Sequence, residues 1–262
     1  MTNTPGLFDL SGTVALITGG SRGIGLDMAE GLGDMGARLV LCARKRDELD
    51  AAVAGLAQRG IEARPLVADL TRADAVVPLA EAALAAFGRL DILVNNAGSA
   101  WTAAAEDFPD DAWQRGIALG VDAPFRLSRE VARRAMIPQK SGKILNIASI
   151  AGFRGNTTLQ AGGGHIVAYH AGKGALINLT RALAVEWGPH NINVNCLCPG
   201  YFRTRMSQVL LEKIEGRVIE ATPLGRIGCG EDIIGVAAFL CSAAARHISG
   251  QIIVVDGGYS AG

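Results

Sequence analysis

The chain has 262 residues, a length that suits one large domain or two small ones. Its 25 basic and 25 acidic side chains give a formal net charge of +0, so no basic surplus favours a nucleic-acid partner. No uninterrupted apolar run approaches the ~20 residues needed to span a bilayer, and the opening segment MTNTPGLFDLSG lacks the pattern of a signal peptide. The sequence therefore predicts a cytoplasmic protein with neither a nucleic-acid nor a membrane partner.

Seven apolar runs, rich in β-branched residues, alternate with segments of helix length. The runs begin at Thr13, Arg38, Ala63, Asp91, Gly142, Ile192 and Gln251. In most of them the apolar residues are continuous rather than alternating, as expected of parallel strands that are covered on both faces. Helix-length segments such as 47–60 and 73–88 follow the second and third runs. The pattern predicts a single domain, 1–262, with a doubly wound α/β (Rossmann) fold: a seven-stranded parallel sheet with helices on both faces.

The first run leads directly into a glycine-rich turn, TGGSRGIG, which precedes a helical segment. Gly19, Gly23 and Gly25 would permit a tight turn and let backbone N–H groups approach a pyrophosphate at the helix N-terminus. The spacing differs from GxGxxG, so a simple turn is the alternative. Its place between a strand and a helix favours a dinucleotide site.

The second run ends in CARKR, at the position where the adenosine ribose of a dinucleotide is commonly recognised. An acidic residue there would bind the 2′-hydroxyl of NAD, whereas an arginine accommodates the 2′-phosphate of NADP. The run ends with Arg44, and no carboxylate follows before Asp47. Arg22 in the glycine turn would bring a second guanidinium to the same phosphate. The sequence predicts NADP as the cofactor and NAD as the less favoured one. The alternative is that Arg22 and Arg44 are ordinary surface arginines that bind no phosphate.

Two loops leave the carboxyl ends of later runs and are candidates for substrate contact. Residues 154–167 are polar and glycine-rich, and residues 203–222 form a helical excursion after the sixth run. Ligands of open parallel sheets bind in the crevice that such loops form. The 154–167 loop is predicted to become ordered when substrate binds.

The stretch VAYHAGKG places Tyr169 four positions before Lys173. Residues four apart are neighbours on a helix, and an adjacent ammonium favours the phenolate of a tyrosine. Ser149 directly follows the fifth run, at the carboxyl end of the predicted sheet. A phenol beside an ammonium is an unusual choice for packing alone, although a half-buried helix pair is the alternative.

The five cysteines and four histidines form neither CxxC nor HExxH patterns, so the sequence predicts no metal site. Cys196 and Cys198 are separated by one residue in an apolar run and would point to the same side of a strand. Free cysteines in the core of a protein from a reducing compartment are the favoured interpretation.

Several motifs, in this order, resemble those of the short-chain dehydrogenase/reductase family. They are TGGSRGIG, NNAG at 95–98, Ser149, Tyr169 with Lys173, and PG at 199–200 followed by Thr204. The resemblance runs from Leu10 to Tyr259 and is to the compact branch of 3-oxoacyl-carrier-protein reductases and gluconate 5-dehydrogenase-like enzymes. It implies an NADP-dependent oxidoreductase acting on CH–OH groups (EC 1.1.1.-), which interconverts a ketone and a secondary alcohol by hydride transfer and forms a homotetramer or homodimer. It leaves the small-molecule substrate open among a 3-oxoacyl thioester, a sugar acid and a cyclic ketone.

The resemblance also implies roles for individual residues. Tyr169 would be the acid/base, Lys173 would support it and bind the nicotinamide ribose, and Ser149 would hold the substrate oxygen by a hydrogen bond. The implied cofactor site comprises Gly19, Ser21, Arg22, Gly23, Ile24, Gly25, Arg44, Asp69, Leu70, Asn96, Ala97, Gly98, Tyr169, Lys173, Pro199, Gly200, Phe202 and Thr204.

Two glycines depart from the family pattern. The stretch WQRGIALGVDAPF resembles the one that carries a fourth catalytic residue, an asparagine, but the position reads Gly120. Gly120 is expected to leave room for an ordered water, which would keep the enzyme active; the alternative is a catalytically impaired NADP(H)-binding protein. Gly172 lies inside the predicted helix of Tyr169, and close approach of the cofactor or of a strand is the expected reason for it.

Overall fold

The structure, a computed structural model, describes residues 4–155 and 165–261. Among these residues, the strands are Val14–Thr18 (β1), Arg38–Ala43 (β2), Ala63–Val67 (β3), Ile92–Asn95 (β4), Gly142–Ile147 (β5), Ile192–Pro199 (β6) and Ile252–Val255 (β7). Each strand begins at the predicted residue or one residue later. All neighbours pair in parallel, in the order β3-β2-β1-β4-β5-β6-β7. The predicted seven-stranded parallel sheet is confirmed.

Helices connect the strands. They are Gly23–Asp34 (α1), Arg46–Gln58 (α2), Val76–Phe87 (α3), Asp110–Ile117 (α4), Ala123–Val131 (α5), Ile137–Gln139 (α6), Val167–Trp187 (α7), Gln208–Ala221 (α8) and Gly230–Cys241 (α9). The predicted segments 47–60 and 73–88 correspond to α2 and α3. Turns of π-helix at Ala118–Asp122 and Ala132–Met136 join α4, α5 and α6 into one helical run.

Local sequence explains where several helices begin and end. Two acidic residues, Asp47 and Glu48, occupy the first turn of α2, where the helix dipole favours negative charge. Gly88 follows α3 with a left-handed backbone (φ +75°), and its N–H donates to the carbonyl of Leu84 at 2.8 Å. Such a glycine ends a helix because it adopts this conformation without strain.

Both faces of the sheet are buried. On β1, Val14 and Leu16 belong to one hydrophobic cluster, whereas Ala15 and Ile17 belong to another. Successive side chains of a strand point to opposite faces, so the two clusters lie on opposite sides of the sheet. Helices α1, α2 and α9 complete the cluster of Ile17, and α3, α5 and α7 complete that of Leu16. The predicted helices on both faces are confirmed, and they explain why β1 is apolar from Val14 to Ile17.

The order of the strands places a crevice at the end of β1. Ile17 on β1 pairs with Leu41 of β2 on one side and with Val94 of β4 on the other. The chain therefore turns in opposite directions from β1, which is where open α/β sheets bind ligands. The Thr18 hydroxyl fixes this point, because it donates to the Val94 carbonyl at 3.2 Å and accepts from the N–H of Asn96 at 3.0 Å.

The structure also tests smaller predictions. Cys196 and Cys198 are fully buried on β6, where their Sγ atoms lie 3.8 Å apart as a thiol hydrogen bond and not as a disulfide, so the prediction of free core cysteines is confirmed for this pair. The predicted helical excursion in 203–222 is α8. The prediction for the 154–167 loop falls mainly on residues 156–164, which lie outside the described residues. Within the described ranges, no helix combines the length and apolarity needed to cross a membrane.

Candidate active site and cofactor cavity

A cavity of about 570 Å³ opens at the carboxyl ends of the strands. Every residue that the sequence analysis assigned to catalysis or to cofactor binding lines it. It is also lined by side chains that the sequence analysis missed, among them Lys45, Glu48, Ser99, Leu119, Tyr201, Arg205, Met206 and Ser207. Lys45, Ser99, Tyr201 and Arg205 directly follow an assigned residue, and this proximity in sequence was the available signal.

The glycine turn at the start of α1 closes against the end of β4. A Cβ atom on Gly25 would lie 2.2 Å from the Gly19 carbonyl oxygen and 2.5 Å from Nδ2 of Asn96. Gly19 and Gly23 have φ angles of +66° and +53°, in the left-handed region that favours glycine. Close packing at Gly25 and backbone conformation at the other two therefore require the glycines, and the first turn of α1 faces the cavity.

The side chain of Asn96 holds the glycine turn to β4. Its Nδ2 donates to the carbonyl oxygens of Thr18 at 3.0 Å and Gly19 at 3.2 Å. The N–H of Ala97 donates to the Thr18 hydroxyl at 3.0 Å. The Asn96 side chain thus holds the glycine turn to the end of β4. Asn96, Ala97 and Gly98 also line the cavity.

Tyr169, Lys173 and Ser149 meet at the other end of the cavity. Lys173 is 6% exposed, and its Nζ donates to the Ile147 carbonyl at 2.6 Å and lies 5.4 Å from the centroid of the Tyr169 ring. Ser149 is 9% exposed and its Oγ accepts a hydrogen bond from the Ala151 N–H at 3.1 Å. A hydroxyl that accepts this bond still carries a proton to donate. The three side chains therefore present two hydroxyl groups and a cation to the same cavity.

His170, which the sequence analysis did not assign, connects the helix of Tyr169 to the segment of Ser149. Its Nδ1 lies 2.8 Å from the Ala151 carbonyl oxygen. A carbonyl can only accept, so Nδ1 carries the proton of this bond. The contact fixes the start of α7 relative to the turn that follows β5, and thereby helps to fix the two hydroxyl groups relative to each other.

The expectation that Gly120 leaves room for a water is wrong in the direction that a side chain would take. A Cβ atom on Gly120 would lie 3.1 Å from the Cα atom of Gly172, closer than carbon atoms normally pack. The backbone of α7 fills that space. The expected reason for Gly172 is corrected as well, because it faces the π-helical turn that contains Gly120 rather than a strand or the cofactor cavity.

The adenosine end of the cavity contains a carboxylate that the sequence analysis did not foresee. Glu48 accepts from Arg22 Nη1 at 2.8 Å and 3.0 Å and from Lys45 Nζ at 3.1 Å. The absence of a carboxylate before Asp47 had suggested that no acid competes for Arg22, and this inference is wrong. It failed because the first turn of α2 carries Glu48 back toward the glycine turn. Arg44 also lines the cavity.

Asp69 lies beside this cluster, at the end of β3. Burial alone would raise the pKa of its carboxyl group, but hydrogen bonds from the Thr71 hydroxyl and N–H, with the charges of Arg44 and Arg72, outweigh burial and lower it. Its Oδ1 accepts both Thr71 bonds, at 2.8 Å and 3.0 Å. Asp69 is therefore an anchored, ionised acceptor at the edge of the cavity.

Comparison with known proteins places the chain in a family. A family model described as enoyl-(acyl carrier protein) reductase matches residues 19–260. Gluconate 5-dehydrogenase of Gluconobacter oxydans (strain 621H) is 42% identical over 256 residues, which are 97% of each chain. The chain belongs to the short-chain dehydrogenase/reductase family. Like its relatives, this short-chain dehydrogenase/reductase is an oxidoreductase that acts on CH–OH groups.

Other relatives agree in sequence and in structure. The 5-keto-D-gluconate 5-reductase of Escherichia coli (strain K12) is 37% identical to this chain over 254 residues. The match covers 96% of this chain and 97% of that protein. A crystal structure of a gluconate 5-dehydrogenase from Burkholderia cenocepacia J2315, in complex with NADP and tartrate, has a TM-score of 0.92 and 34% identity. The comparison covers 99% of this chain and 100% of that one. Rossmann-fold short-chain dehydrogenase/reductases are thus its structural neighbours.

The cavity of this short-chain dehydrogenase/reductase fits a nicotinamide dinucleotide. It extends from the glycine turn to Lys173, and Gly23 and Gly98 are among the residues that line it. A Cβ atom on Gly98 would lie 3.9 Å from Lys173 Nζ, and one on Gly23 would lie 3.6 Å from the Thr204 side chain. Side chains at these positions would narrow the passage between the two ends. The absence of such side chains is what an extended cofactor requires.

Proposed function

We propose that the protein is an NADP-dependent oxidoreductase that interconverts a ketone and a secondary alcohol, with Tyr169 as its acid/base. The observation that supports this most is that Ser149, Tyr169 and Lys173 line the same cavity as the glycine turn and Arg44. A pure nucleotide sensor has no need of all three reactive side chains. Relatives of similar structure were solved with NADP bound, which supports the choice of cofactor.

Each of the three side chains has a different role toward the substrate oxygen. In the direction of reduction, Ser149 donates a hydrogen bond to the carbonyl oxygen and stabilises the negative charge that develops there. Tyr169 transfers its hydroxyl proton to the same oxygen, and the Lys173 ammonium stabilises the phenolate left behind. A nicotinamide held in this cavity beside Lys173 would supply the hydride for the carbonyl carbon. Oxidation of the alcohol reverses each transfer.

We infer that the substrate is a polyhydroxy acid or its keto form. The relatives named above act on gluconate or 5-keto-D-gluconate, and their similarity covers nearly the whole chain. A 3-oxoacyl thioester and a cyclic ketone are the competing classes. A panel of 5-keto-D-gluconate, a 3-oxoacyl thioester and a cyclic ketone, monitored by NADPH absorbance, distinguishes them, and a higher kcat/KM for either competitor would contradict the inference.

Tyr169→Phe tests the catalytic assignment, because it removes a hydroxyl and little volume. We expect kcat to fall by at least about 100-fold while the Kd for NADPH changes little. Tyr259→Phe is the matched control outside the cavity and should keep near-normal turnover. Lys173→Ala should weaken both turnover and cofactor binding. Near-normal kcat in Tyr169→Phe would show that the proton donor has been misassigned.

The alternative function is that of an NADP(H)-binding protein without turnover, because Gly120 replaces the asparagine. Single-turnover oxidation of NADPH by the unmutated protein, with an active ketone, separates the two: we expect oxidation. If only Gly120→Asn reacts, the native chain is a binding protein. The cytoplasmic location and the homotetramer or homodimer stay predictions, which fractionation and sedimentation velocity would check.

A further inference from the structure

Glu48 lies within a cluster of cationic side chains at the adenosine end of the cavity. Four such side chains line this end: Arg22, Arg44, Lys45 and Arg205. Besides its bonds to Arg22 and Lys45, Glu48 lies 3.5 Å from Arg205 Nη1 through its Oε1. The Glu48 side chain is 21% exposed, less than half the exposure of Arg22, Lys45 or Arg205.

The cations come from three separate parts of the chain. Arg22 belongs to the turn before α1, Lys45 directly precedes α2, and Arg205 lies in the loop between β6 and α8. Glu48, in the first turn of α2, is the side chain on which all three converge. Glu48 therefore links the turn before α1, the start of α2 and the loop after β6, and it neutralises part of the positive charge of their side chains.

This arrangement affects the two cofactors differently. A phosphate monoester carries a charge of about −1.5 to −2 at neutral pH and needs the cations that Glu48 already binds. The Glu48 carboxylate would both compete with a 2′-phosphate for Arg22 and repel it. The free 2′-hydroxyl of NAD carries no charge, and a hydroxyl can donate a hydrogen bond to a carboxylate.

We propose that Glu48 is a specificity-determining residue: its carboxylate occupies the cation cluster of Arg22, Lys45 and Arg205 and reduces the preference of the site for NADP over NAD. The inference rests on the proposed function, because it assigns this cavity to the dinucleotide. It predicts an enzyme that still prefers NADP, since four cations surround the site, but that also binds NAD measurably.

The test compares Glu48→Gln with Asp47→Asn. Both remove one negative charge from the first turn of α2, but Asp47 is exposed and is not part of the cavity lining. Dissociation constants for NADPH and NADH are measured by nicotinamide fluorescence at about 0.05 M and about 1 M salt. We expect Glu48→Gln to bind NADPH at least about fivefold more tightly at low salt, to bind NADH no more tightly than before, and to lose most of this gain at high salt. Asp47→Asn should change the NADPH/NADH ratio by less than about twofold, because an exposed charge is screened by solvent.

An unchanged or reduced preference for NADPH in Glu48→Gln would overturn the inference. So would a gain of equal size at both salt concentrations, which would indicate repacking rather than charge. Failure of the proposed function looks different: the unmutated protein would then bind neither cofactor, or would bind NADPH without oxidising it in the presence of a ketone. Failure of this inference alone leaves both NADPH binding and NADPH oxidation intact. An unfolding midpoint for each variant confirms that the fold is unchanged.

Discussion

Gly120 stands where the family resemblance implies an asparagine, and Gly120→Asn tests what the glycine does there. The added Cβ atom would lie 3.1 Å from the Cα atom of Gly172, in the second turn of α7. Carbon atoms pack best at about 3.5–4.0 Å, so the two helical backbones must move apart by a few tenths of an ångström. The two nearest atoms, the Cα and the carbonyl carbon of Gly172, belong to the backbone and cannot turn away as the end of a flexible side chain could.

The magnitude follows from two opposing terms. Overpacking of a close contact destabilises a protein by about 1–3 kcal/mol. Replacing glycine by asparagine in a helix stabilises the helix by about 0.3 kcal/mol, because asparagine has the higher helix propensity. We therefore expect Gly120→Asn to lower the free energy of unfolding by about 1–3 kcal/mol. Because Gly172 directly precedes Lys173, we expect turnover to fall as well, by about tenfold or less, which corresponds to ~1.4 kcal/mol in the barrier.

Urea unfolding and steady-state kinetics measure the two effects, with Gly55→Asn as the matched control. Gly55 lies inside α2 and nothing stands within 4 Å of a Cβ atom built on it, so the same substitution there should be neutral or slightly stabilising. Equal unfolding midpoints for the two variants would refute the claim that α7 fills the space beside Gly120. A gain of turnover in Gly120→Asn would refute the expectation that close packing of Gly120 on Gly172 supports catalysis.

Three further predictions concern the cofactor site and the stability of the fold. Gly25→Ala should abolish tight NADPH binding, because its methyl group would lie 2.2 Å from the Gly19 carbonyl oxygen; fluorescence titration measures this. Arg44→Asp should reverse or flatten the preference for NADPH, and equal dissociation constants in the unmutated protein would contradict the assignment. Hydrogen bonds from the Arg226 guanidinium and the Cys229 N–H hold the pKa of Asp232 well below its usual range. The Asp232 carboxylate therefore stabilises the fold above the unfolded pKa of about 3.9, and this stabilisation is lost as pH falls toward the folded value. Asp232→Asn should thus lower the free energy of unfolding at pH 7, and its difference from the unmutated protein should become smaller below about pH 4.

The sheet could be predicted because its strands satisfy one simple condition. The central strands are covered on both faces, so their apolar residues are continuous, and β1 shows this at Val14, Ala15, Leu16 and Ile17. The catalytic and glycine-turn residues could be located for a related reason. They follow strand ends or lie four apart on a helix, and both relations are visible in the sequence.

The features that the sequence did not reveal depend on contacts between distant segments. Glu48 reaches Arg205 across 157 positions, and His170 reaches Ala151 across 19. The position of Gly120 against Gly172 depends on the crossing of two helices, which the pattern of either helix alone does not determine. A local pattern could identify each of these residues as unusual, but it could not supply the partner that explains it.

The contacts of α7 suggest how the chain fixes Tyr169 without the asparagine. Lys173, one turn after Tyr169, is tied to the end of β5 through the Ile147 carbonyl, and His170 is tied to the Ala151 carbonyl beyond Ser149. On a third side, Gly172 packs directly on Gly120. These three contacts hold the part of α7 that carries Tyr169. We therefore expect activity to depend on the closeness of this helix pair rather than on the chemistry of a fourth side chain.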